Sequence, residues 1–258
     1  MGMFDEIDER QEETGLAIDA DSLLFKACYK YREDFNIEMA YMEFCKRIGN
    51  IERACYDEVT GLTEVIICFS TRKCFRHTVL DTYKANRGKN VTDEMKLLRD
   101  YSKQLKLLVV ERLRPMVNAS NVFEADDIVI QYADKGYLVA ALDKDVINAS
   151  KTKCFNYDTN QWTPELTEMD INRWYILQSI MGDSTDNIAG VKGMGKVKAE
   201  TFISALFDGE KTIDDYVELF ATPEDCLISN RLVRMNQYED GKLKLASMED
   251  VLNSIYPF

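Results

Sequence analysis

Three short apolar segments separated by helical patterns constrain the fold of this chain more than any other feature. They are residues 15–20 (GLAIDA), 63–69 (TEVIICF) and 137–142 (YLVAAL). Short apolar runs rich in β-branched residues and bounded by turn residues predict buried strands. Helical patterns occur at residues 22–32, 37–56 and 125–134. This alternation is typical of βαβ units around a parallel sheet, so we predict an α/β fold.

The apolar pattern also divides the chain into two parts. After Trp162 and Pro164 the sequence becomes mostly helical. We predict an α/β core over residues 14–165 and a helical lobe over residues 166–258. Residues 1–13 contain six acids, one arginine and no apolar run, so we expect a frayed tail there and neither a signal nor a transit peptide.

Charge is distributed unevenly along the chain. The formal net charge of −13 disfavours a nucleic-acid partner, because phosphate binding relies on Lys and Arg. Residues 71–114, however, carry twelve Lys or Arg against five Asp or Glu. This segregation keeps nucleic acid as a candidate partner. No segment has the run of about eighteen apolar residues that a membrane span requires, so we expect no membrane contact.

Histidine and cysteine offer little catalytic chemistry. His77 is the only histidine, which disfavours Ser-His triads and His-rich metal sites. The seven cysteines are scattered without a CxxC pair, which fits neither a disulfide framework nor a zinc site. We expect reduced thiols in a cytoplasmic protein. Carboxylates remain as the main supply of metal ligands and bases.

Carboxylates gather where the predicted strands end. Asp19 ends the first strand, and Asp143 and Asp145 (LDKD) end the third. Functional groups of open parallel sheets lie beyond the carboxyl ends of the strands, and residues i and i+2 share a side if the chain stays extended. Three more acids begin the helix predicted at 125–134, namely Glu124, Asp126 and Asp127. Helix capping explains one acid there, but three repel one another unless a cation neutralises them.

Another pair of acids lies in the helical lobe, at Asp183 and Asp186, and shares one face if this segment is helical. Two divalent ions about 4 Å apart can ionise a water and stabilise both reacting oxygens of phosphodiester cleavage. Mg²⁺, for which Mn²⁺ can substitute, prefers oxygen ligands. The predicted metal ligands are Asp19, Glu124, Asp126, Asp127, Asp143, Asp145, Asp183 and Asp186.

Each of these acids alone is more often a helix cap or a solvated surface group. The recurrence of eight acids at element ends favours the metal site. Asp21 is interpreted differently, as a cap of the helix at 22–32 with metal contact as the weaker alternative, and is left out of the ligand set.

The glycine-rich stretch after Asp186 predicts a phosphate-binding hairpin. Glycines at 190, 193 and 195 allow a tight backbone before a helix that begins near Lys196. Backbone amides and a helix N-terminus bind phosphate without reading bases. The predicted DNA contacts here are Lys192, Gly193, Gly195, Lys196 and Lys198. An ordinary packing turn between two helices is the alternative.

The basic segment FRHTVLDTYKANRGKN precedes a long helical pattern at 92–112. We predict DNA contacts by Arg76, Tyr83, Lys84 and Arg87. Tyr83 can stack on an unpaired base, while Lys84 and Arg87 approach the phosphate to be cut. A basic surface helix without DNA contact is the alternative, and His77 is interpreted as structural.

Together these motifs resemble the flap-endonuclease family, specifically the phage 5′-nucleases and the 5′-exonuclease domain of bacterial DNA polymerase I. The resemblance rests on LAIDADSLLFKA, FR followed by YKANR, EADD, LDKD and GDSTDNIAGVKGMGKVKAE, in the family's order over nearly the whole chain. It implies a PIN-like sheet, a helical arch at about 84–115 and a helix-three-turn-helix motif that holds duplex DNA.

The resemblance also implies an activity. It is flap endonuclease and 5′-3′ exonuclease cleavage of branched, flapped or 5′-ended DNA in replication or repair, with RNA–DNA hybrids as a further candidate substrate. The same eight acids would bind two Mg²⁺ ions, and Lys84, Arg87 and Asp143 would be catalytic. A K⁺ ion would lie on the hairpin backbone at Val191 and Gly193. A monomer in the cytoplasm is expected, in the host's if the chain is phage-encoded.

One position departs from the family's pattern. Many members end the second strand with an acid, whereas here Phe69 is followed by Ser70. A serine adds no negative charge, so affinity for one ion is expected to be weaker. A catalytically silent binder of branched DNA therefore stays open as an alternative. A PIN-like ribonuclease also stays open, although such domains lack the GDxxD motif and the glycine hairpin.

Overall fold

A six-stranded sheet forms the centre of the computed structural model, which describes residues 13–59, 61–88 and 91–255. The strand order is β3-β2-β1-β4-β5-β6. Its strands are β1 (Thr14–Asp19), β2 (Leu62–Ser70), β3 (Val117–Ser120), β4 (Leu138–Ala140), β5 (Cys154–Asn156) and β6 (Gln161–Thr163). All neighbours pair in parallel except β5 and β6. The predicted α/β class is confirmed, and residues 1–12 of the tail predicted at 1–13 lie outside the described residues.

Helices cover both faces of this sheet and form most of the C-terminal part. They are α1 (Asp21–Lys30), α2 (Ile37–Tyr56), α3 (Arg76–Val79), α4 (Asp93–Arg112), α5 (Ala125–Ala133), α6 (Lys144–Ile147), α7 (Glu168–Met181), α8 (Lys196–Phe207), α9 (Ile213–Val217), α10 (Pro223–Val233) and α11 (Met248–Asn253). A small hairpin, β7 (Tyr238–Glu239) and β8 (Lys242–Leu243), follows α10. None of the helices in the described ranges is long and apolar enough to cross a membrane.

The sequence pattern identified the long elements better than the short ones. The helix predicted at 37–56 has these bounds in the structure, whereas the strand predicted at 137–142 is limited to β4. The strands β3, β5 and β6 were not predicted, because three or four residues are too few to show periodicity.

Side chains alternate between the two faces of the central strands. From β1, Leu16 and Ile18 point to the face covered by α1, α2 and α4, where Phe44 and Phe69 also pack. Ala17 points to the opposite face, which is covered by α5 and α7. Burial on both faces explains why β1 is a nearly continuous apolar run that ends in an acid.

The basic helix α4 is fixed to the core by one apolar face. Leu98, Leu105 and Val109 are buried against α1 and α2, and Arg112 makes two 2.7 Å hydrogen bonds to Glu38 at the start of α2. This helix lies within the range predicted for an arch. The arch stays a prediction, because the loop before α4 includes residues outside the described ranges.

The C-terminal helices have an apolar core of their own. Ile176, Ile180, Ile203 and Tyr216 pack there with Val251 of α11. A smaller cluster joins this part to the sheet domain through Cys74, Tyr83, Ile188 and Leu232. All seven cysteines lie in the described ranges as free thiols.

The packing of α4 can be tested by a matched pair of leucines. Leu105→Ala should lower the free energy of unfolding by about 2–5 kcal/mol, because it leaves a cavity between α4 and the core. Leu107 is 72% exposed, so Leu107→Ala should change it by less than about 0.5 kcal/mol. Urea unfolding of both variants measures the difference, and equal effects would show that α4 is not docked.

Candidate active site

The parallel topology brings acids from distant parts of the chain to one edge of the sheet. Asp19 is the last residue of β1, and Asp143 follows β4, the neighbour of β1. Glu124 precedes α5, which packs across β1, β2 and β4. The strands of this edge run in the same direction, so their ends and the following acids meet.

Asp19, Asp126 and Asp143 form the centre of this edge. Burial, followed by the charges of Asp21 and Asp143, raises the pKa of Asp19 to about 7. The pKa of Asp126 is raised well above its ordinary value by burial and by the charges of Asp19 and Asp143. These carboxylates therefore repel one another at close range, as predicted for a site that a cation would neutralise.

The LDKD motif does not stay extended, so the condition under which Asp143 and Asp145 would share a side of a strand is not met. The chain turns into α6 directly after Asp143, whose carboxylate accepts the backbone N–H of Asp145 at 2.9 Å. Asp145 lies in the first turn and accepts a hydrogen bond from Gln178 of α7. Burial and the charge of Asp143 raise the pKa of Asp145 to about 6. Both acids nevertheless line the same cavity.

Asp183 and Asp186 lie in a turn, so the condition that this segment is helical is not met. The Asp183 backbone pairs with Ile188, and its carboxylate accepts the N–H of Thr185 at 2.7 Å. Gly190 makes this turn possible, because a Cβ at that position would lie 2.1 Å from the Met181 carbonyl oxygen. The turn directs both acids into the cavity that Asp143 and Asp145 also line.

Glu124 is the acid with the most cationic surroundings. Its carboxylate accepts hydrogen bonds from Tyr83 Oη at 2.8 Å, from Lys84 Nζ, and from Arg76 Nη1 at 3.4 Å. Burial opposes its ionisation, but Arg76 and Lys84 outweigh burial and lower the pKa of Glu124. Glu124 is therefore a carboxylate whose charge is balanced within the protein.

The structure places Arg76 and Asp127 in one buried ion pair, whereas the sequence suggested a DNA contact for Arg76 and a metal ligand for Asp127. Asp127 is fully buried, and both of its oxygens accept 2.7 Å hydrogen bonds from the Arg76 guanidinium. The same guanidinium donates to the carbonyl oxygens of Leu232 and Arg234. Arg76 is thus buried and is not a surface DNA contact, and Asp127 lies in an ion pair apart from the open carboxylates.

Tyr83 also differs from its expectation as a stacking platform. Its ring is buried, and its hydroxyl donates to Glu124 and, at 3.2 Å, to Asp186. The neighbouring cations do reach the site. Lys84 has a left-handed backbone (φ 60°) and places Nζ 3.8 Å from Asp186, and Arg87 Nε donates to the same carboxylate at 2.7 Å.

A cavity of about 70 Å³ lies between these groups. Its polar lining consists of Arg76, Tyr83, Arg87, Glu124, Asp126, Asp143, Asp145, Gln178, Asp183 and Asp186. A larger cavity, of about 1060 Å³, adjoins it beside the turn at 184–192 but includes Asp225 as its only acid. The acidic lining therefore identifies the smaller cavity as the candidate active site.

The carboxylates are spread around the cavity and do not converge on one point. Among residues 13–59, 61–88 and 91–255, no three Asp, Glu, His or Cys side chains are positioned to hold one ion by themselves. Mg²⁺ usually keeps several waters and binds through one or two carboxylates, so an open, oxygen-only donor set fits this ion.

The glycine hairpin is exposed and leads into α8. Gly193 has a positive φ of 82°, and Gly195 precedes α8 with no side chain to cap it. The Val191 N–H donates to Ile180 at 2.7 Å, which fixes the hairpin to the end of α7. Lys192, Lys196 and Lys198 are all exposed beside it.

The sequence interpretation missed Asp21. No side chain caps α1, and the Asp21 carboxylate instead accepts the backbone N–H of Ser70 at 3.0 Å. It thus lies beside the end of β2, next to Asp19. The available signal was the D-A-D spacing, which places a second acid one residue past the strand end.

Fold and carboxylate edge together define an α/β protein with an acidic site at the ends of parallel strands. Residues 14–175 match the family described as 5′-3′ exonuclease, N-terminal resolvase-like domain. The chain therefore belongs to the 5′-3′ exonuclease family. This confirms the resemblance that the motifs carry.

Similar proteins include two bacterial sequences. A 5′-3′ exonuclease of Buchnera aphidicola subsp. Schizaphis graminum is 24% identical over 242 residues, which cover 87% of this chain and 81% of that protein. A DNA polymerase I of Rhizobium leguminosarum is 24% identical over 195 residues, 68% of this chain. The chain matches only 18% of the length of that polymerase.

Solved structures from phage T5 share the fold. A T5 D15 flap endonuclease in complex with DNA and metal ions superposes with a TM-score of 0.68 at 19% identity, over 95% of this chain and 94% of that one. A T5 5′-exonuclease with bound zinc gives a TM-score of 0.65 at 18% identity, over 94% of both chains. The PIN-like fold is thereby confirmed.

The raised pKa of Asp19 predicts a pH dependence of stability. Between its ordinary value of 3.8 and about 7, only the folded state keeps the proton, so rising pH destabilises the metal-free fold across this window. Asp19→Asn removes this effect. Near pH 4 the variant and the unmodified protein should have the same unfolding free energy. The unfolding free energy of the variant should then exceed that of the unmodified protein by an amount that grows until about pH 7 and levels off above it.

Urea unfolding in EDTA at several pH values measures this gain. Asp100→Asn, at an exposed position of α4, is the control for replacing a carboxylate away from the acidic edge. A gain that is the same at every pH would contradict the burial of an ionisable Asp19.

Proposed function

We propose that this protein is a metal-dependent 5′-nuclease that hydrolyses phosphodiester bonds near 5′ ends and branch points of DNA. The observation that carries the proposal is one cavity lined by six carboxylates on several elements, with Lys84 and Arg87 beside it. Membership of the 5′-3′ exonuclease family supports the same reaction. The proposal includes flaps, free 5′ ends and RNA–DNA hybrids as substrates, and a monomer acting in the cytoplasm.

The carboxylates that line the cavity, together with Asp19 at the end of β1, are the groups that would hold the metal ions. They are Asp19, Glu124, Asp126, Asp143, Asp145, Asp183 and Asp186. Two bound Mg²⁺ ions, or Mn²⁺ in their place, would supply the positive charge that activates water and stabilises the leaving oxygen. The metal-free site supports this role, because burial and the charges of neighbouring carboxylates raise the pKa values of both Asp19 and Asp126. Asp127 instead orients Arg76.

Lys84 and Arg87 would place the phosphate that is cut. Both are ion-paired to acids of the cavity, and Arg87 remains about half exposed. An entering phosphate would accept hydrogen bonds from these two cations, and the acids that they now pair with would be available to hold the metal ions. The Lys84 N–H donates to the Asp186 carbonyl at 2.8 Å, which ties its backbone to the GDSTDN turn.

The hairpin would bind the DNA backbone at a distance from the cavity. Exposed amides at Gly193 and Gly195, the start of α8 and three lysines form a surface suited to phosphate. We place a K⁺ ion at the carbonyls of Val191 and Gly193 as part of this proposal. Such contacts make affinity fall steeply with salt and carry no sequence preference.

The test is cleavage of a 5′-labelled flap substrate in Mg²⁺ and in EDTA, beside a blunt duplex and a single-stranded RNA of the same sequence. We expect short labelled products from the flap in Mg²⁺ only, and none from Asp143→Ala, which should still bind the flap. Binding without cleavage, even in Mn²⁺, would favour the silent binder. Cleavage of the RNA alone would favour the ribonuclease.

Lys84→Ala should slow the chemical step more than it weakens DNA binding. A cation that stabilises charge in the transition state contributes about 10²–10³ in rate. Single-turnover cleavage and flap affinity, measured on the same preparation, separate the two effects. Lys244→Ala removes an exposed charge outside the basic segment and serves as the control. A loss of affinity with an unchanged single-turnover rate would make Lys84 a tether.

A further inference from the structure

Asp21 is placed at the acidic edge by contacts with two other elements. Its Oδ2 accepts the Ser70 N–H at 3.0 Å at the end of β2. Its own N–H donates to Asp19 Oδ1 at 3.4 Å, so the two acids lie side by side at the ends of β1 and β2. The carboxylate is 37% exposed, so it is open to solvent and to a ligand.

Ser70 leaves an uncharged position at this edge. Its hydroxyl accepts the Ala125 N–H at 2.9 Å, which occupies it at the start of α5. The end of β2 therefore offers no carboxylate of its own. Asp21 brings a carboxylate to this strand end from α1.

Lys106 of α4 balances the charge of Asp21. Its Nζ lies 3.6 Å from Asp21 Oδ1, donates to the Ser70 carbonyl and stands over the Phe69 ring at 4.8 Å. The Lys106 ammonium group thus lies between Asp21 and the end of β2. At the other side of this edge, Lys84 is ion-paired to Glu124 in the same way.

We propose that Asp21 is a further carboxylate of the metal site, standing where β2 ends in Ser70, and that Lys106 is the counter-charge which a metal ion displaces. This inference rests on the proposed function. Asp21 would supply the negative charge that Ser70 lacks. Lys106 would link α4 electrostatically to the metal site.

Metal binding without DNA tests the proposal independently of activity. Mn²⁺ binding to the full chain is measured by calorimetry. Asp21→Asn should weaken binding at one site by about tenfold, the lower end of the effect of removing a group that supports a metal site. Adding Ser70→Asp to this variant should restore most of the affinity, because it returns a carboxylate to the same place. Circular dichroism confirms that each variant is folded.

Lys106 gives a prediction of opposite sign. Lys106→Met should tighten Mn²⁺ binding by about three- to fivefold, the scale of a partly exposed ion pair. The same substitution in the Asp21→Asn background should have no effect, since the competition is removed. The exposed pair Asp100 and Lys103 on α4 supplies matched controls, Asp100→Asn and Lys103→Met, which should leave affinity unchanged.

The outcomes separate the two proposals. Unchanged Mn²⁺ affinity in Asp21→Asn, with flap cleavage intact in the unmodified protein, overturns the role of Asp21 and leaves the nuclease proposal standing. Equal tightening by Lys106→Met with and without Asp21 reduces Lys106 to a distant charge and overturns the displacement. If the unmodified protein neither binds Mn²⁺ nor cuts the flap, both proposals fail.

Discussion

The buried ion pair of Arg76 and Asp127 is the interaction that joins the acidic edge to the rest of the molecule. Its guanidinium also contacts Glu124 and the carbonyls of Leu232 and Arg234, so one side chain connects α5 with the end of α10. Desolvating two charges is costly, and breaking such a pair costs about 3–5 kcal/mol. The pair therefore fixes geometry at the site more than it adds net stability.

The other carboxylates at this edge of the sheet lie in two kinds of environment. Glu124 and Asp186 are matched by Lys84 and Arg87, whereas burial and mutual repulsion raise the pKa of Asp19. The ion-paired carboxylates are stable in the metal-free chain. The charged form of Asp19 is destabilised there, and a bound cation would stabilise it. A folded protein tolerates this because destabilised groups are confined to the site and offset by the apolar clusters on both faces of the sheet.

The sequence located the acids better than it described their surroundings. Asp143 and Asp186 were identified from strand ends and spacing, and both line the cavity. Arg76 and Tyr83 were assigned to DNA because basic and aromatic residues in a loop commonly contact it, yet both are buried against Glu124. Asp21 was assigned to a cap because it precedes the helix predicted at 22–32. Its contact with Ser70 spans 49 residues, and no local pattern reports a contact of that range.

By itself the sequence determined the α/β class, the long helices and most of the acids at the edge of the sheet, because apolar periodicity and strand-end acids are local properties of the chain. Only the tertiary structure decided which acids are open and which are paired. That outcome depends on parallel strand pairing, on the turn that Gly190 allows and on a guanidinium that reaches Asp127 from 51 residues away. Electrostatic partners are chosen by proximity in space, and proximity exists only after folding.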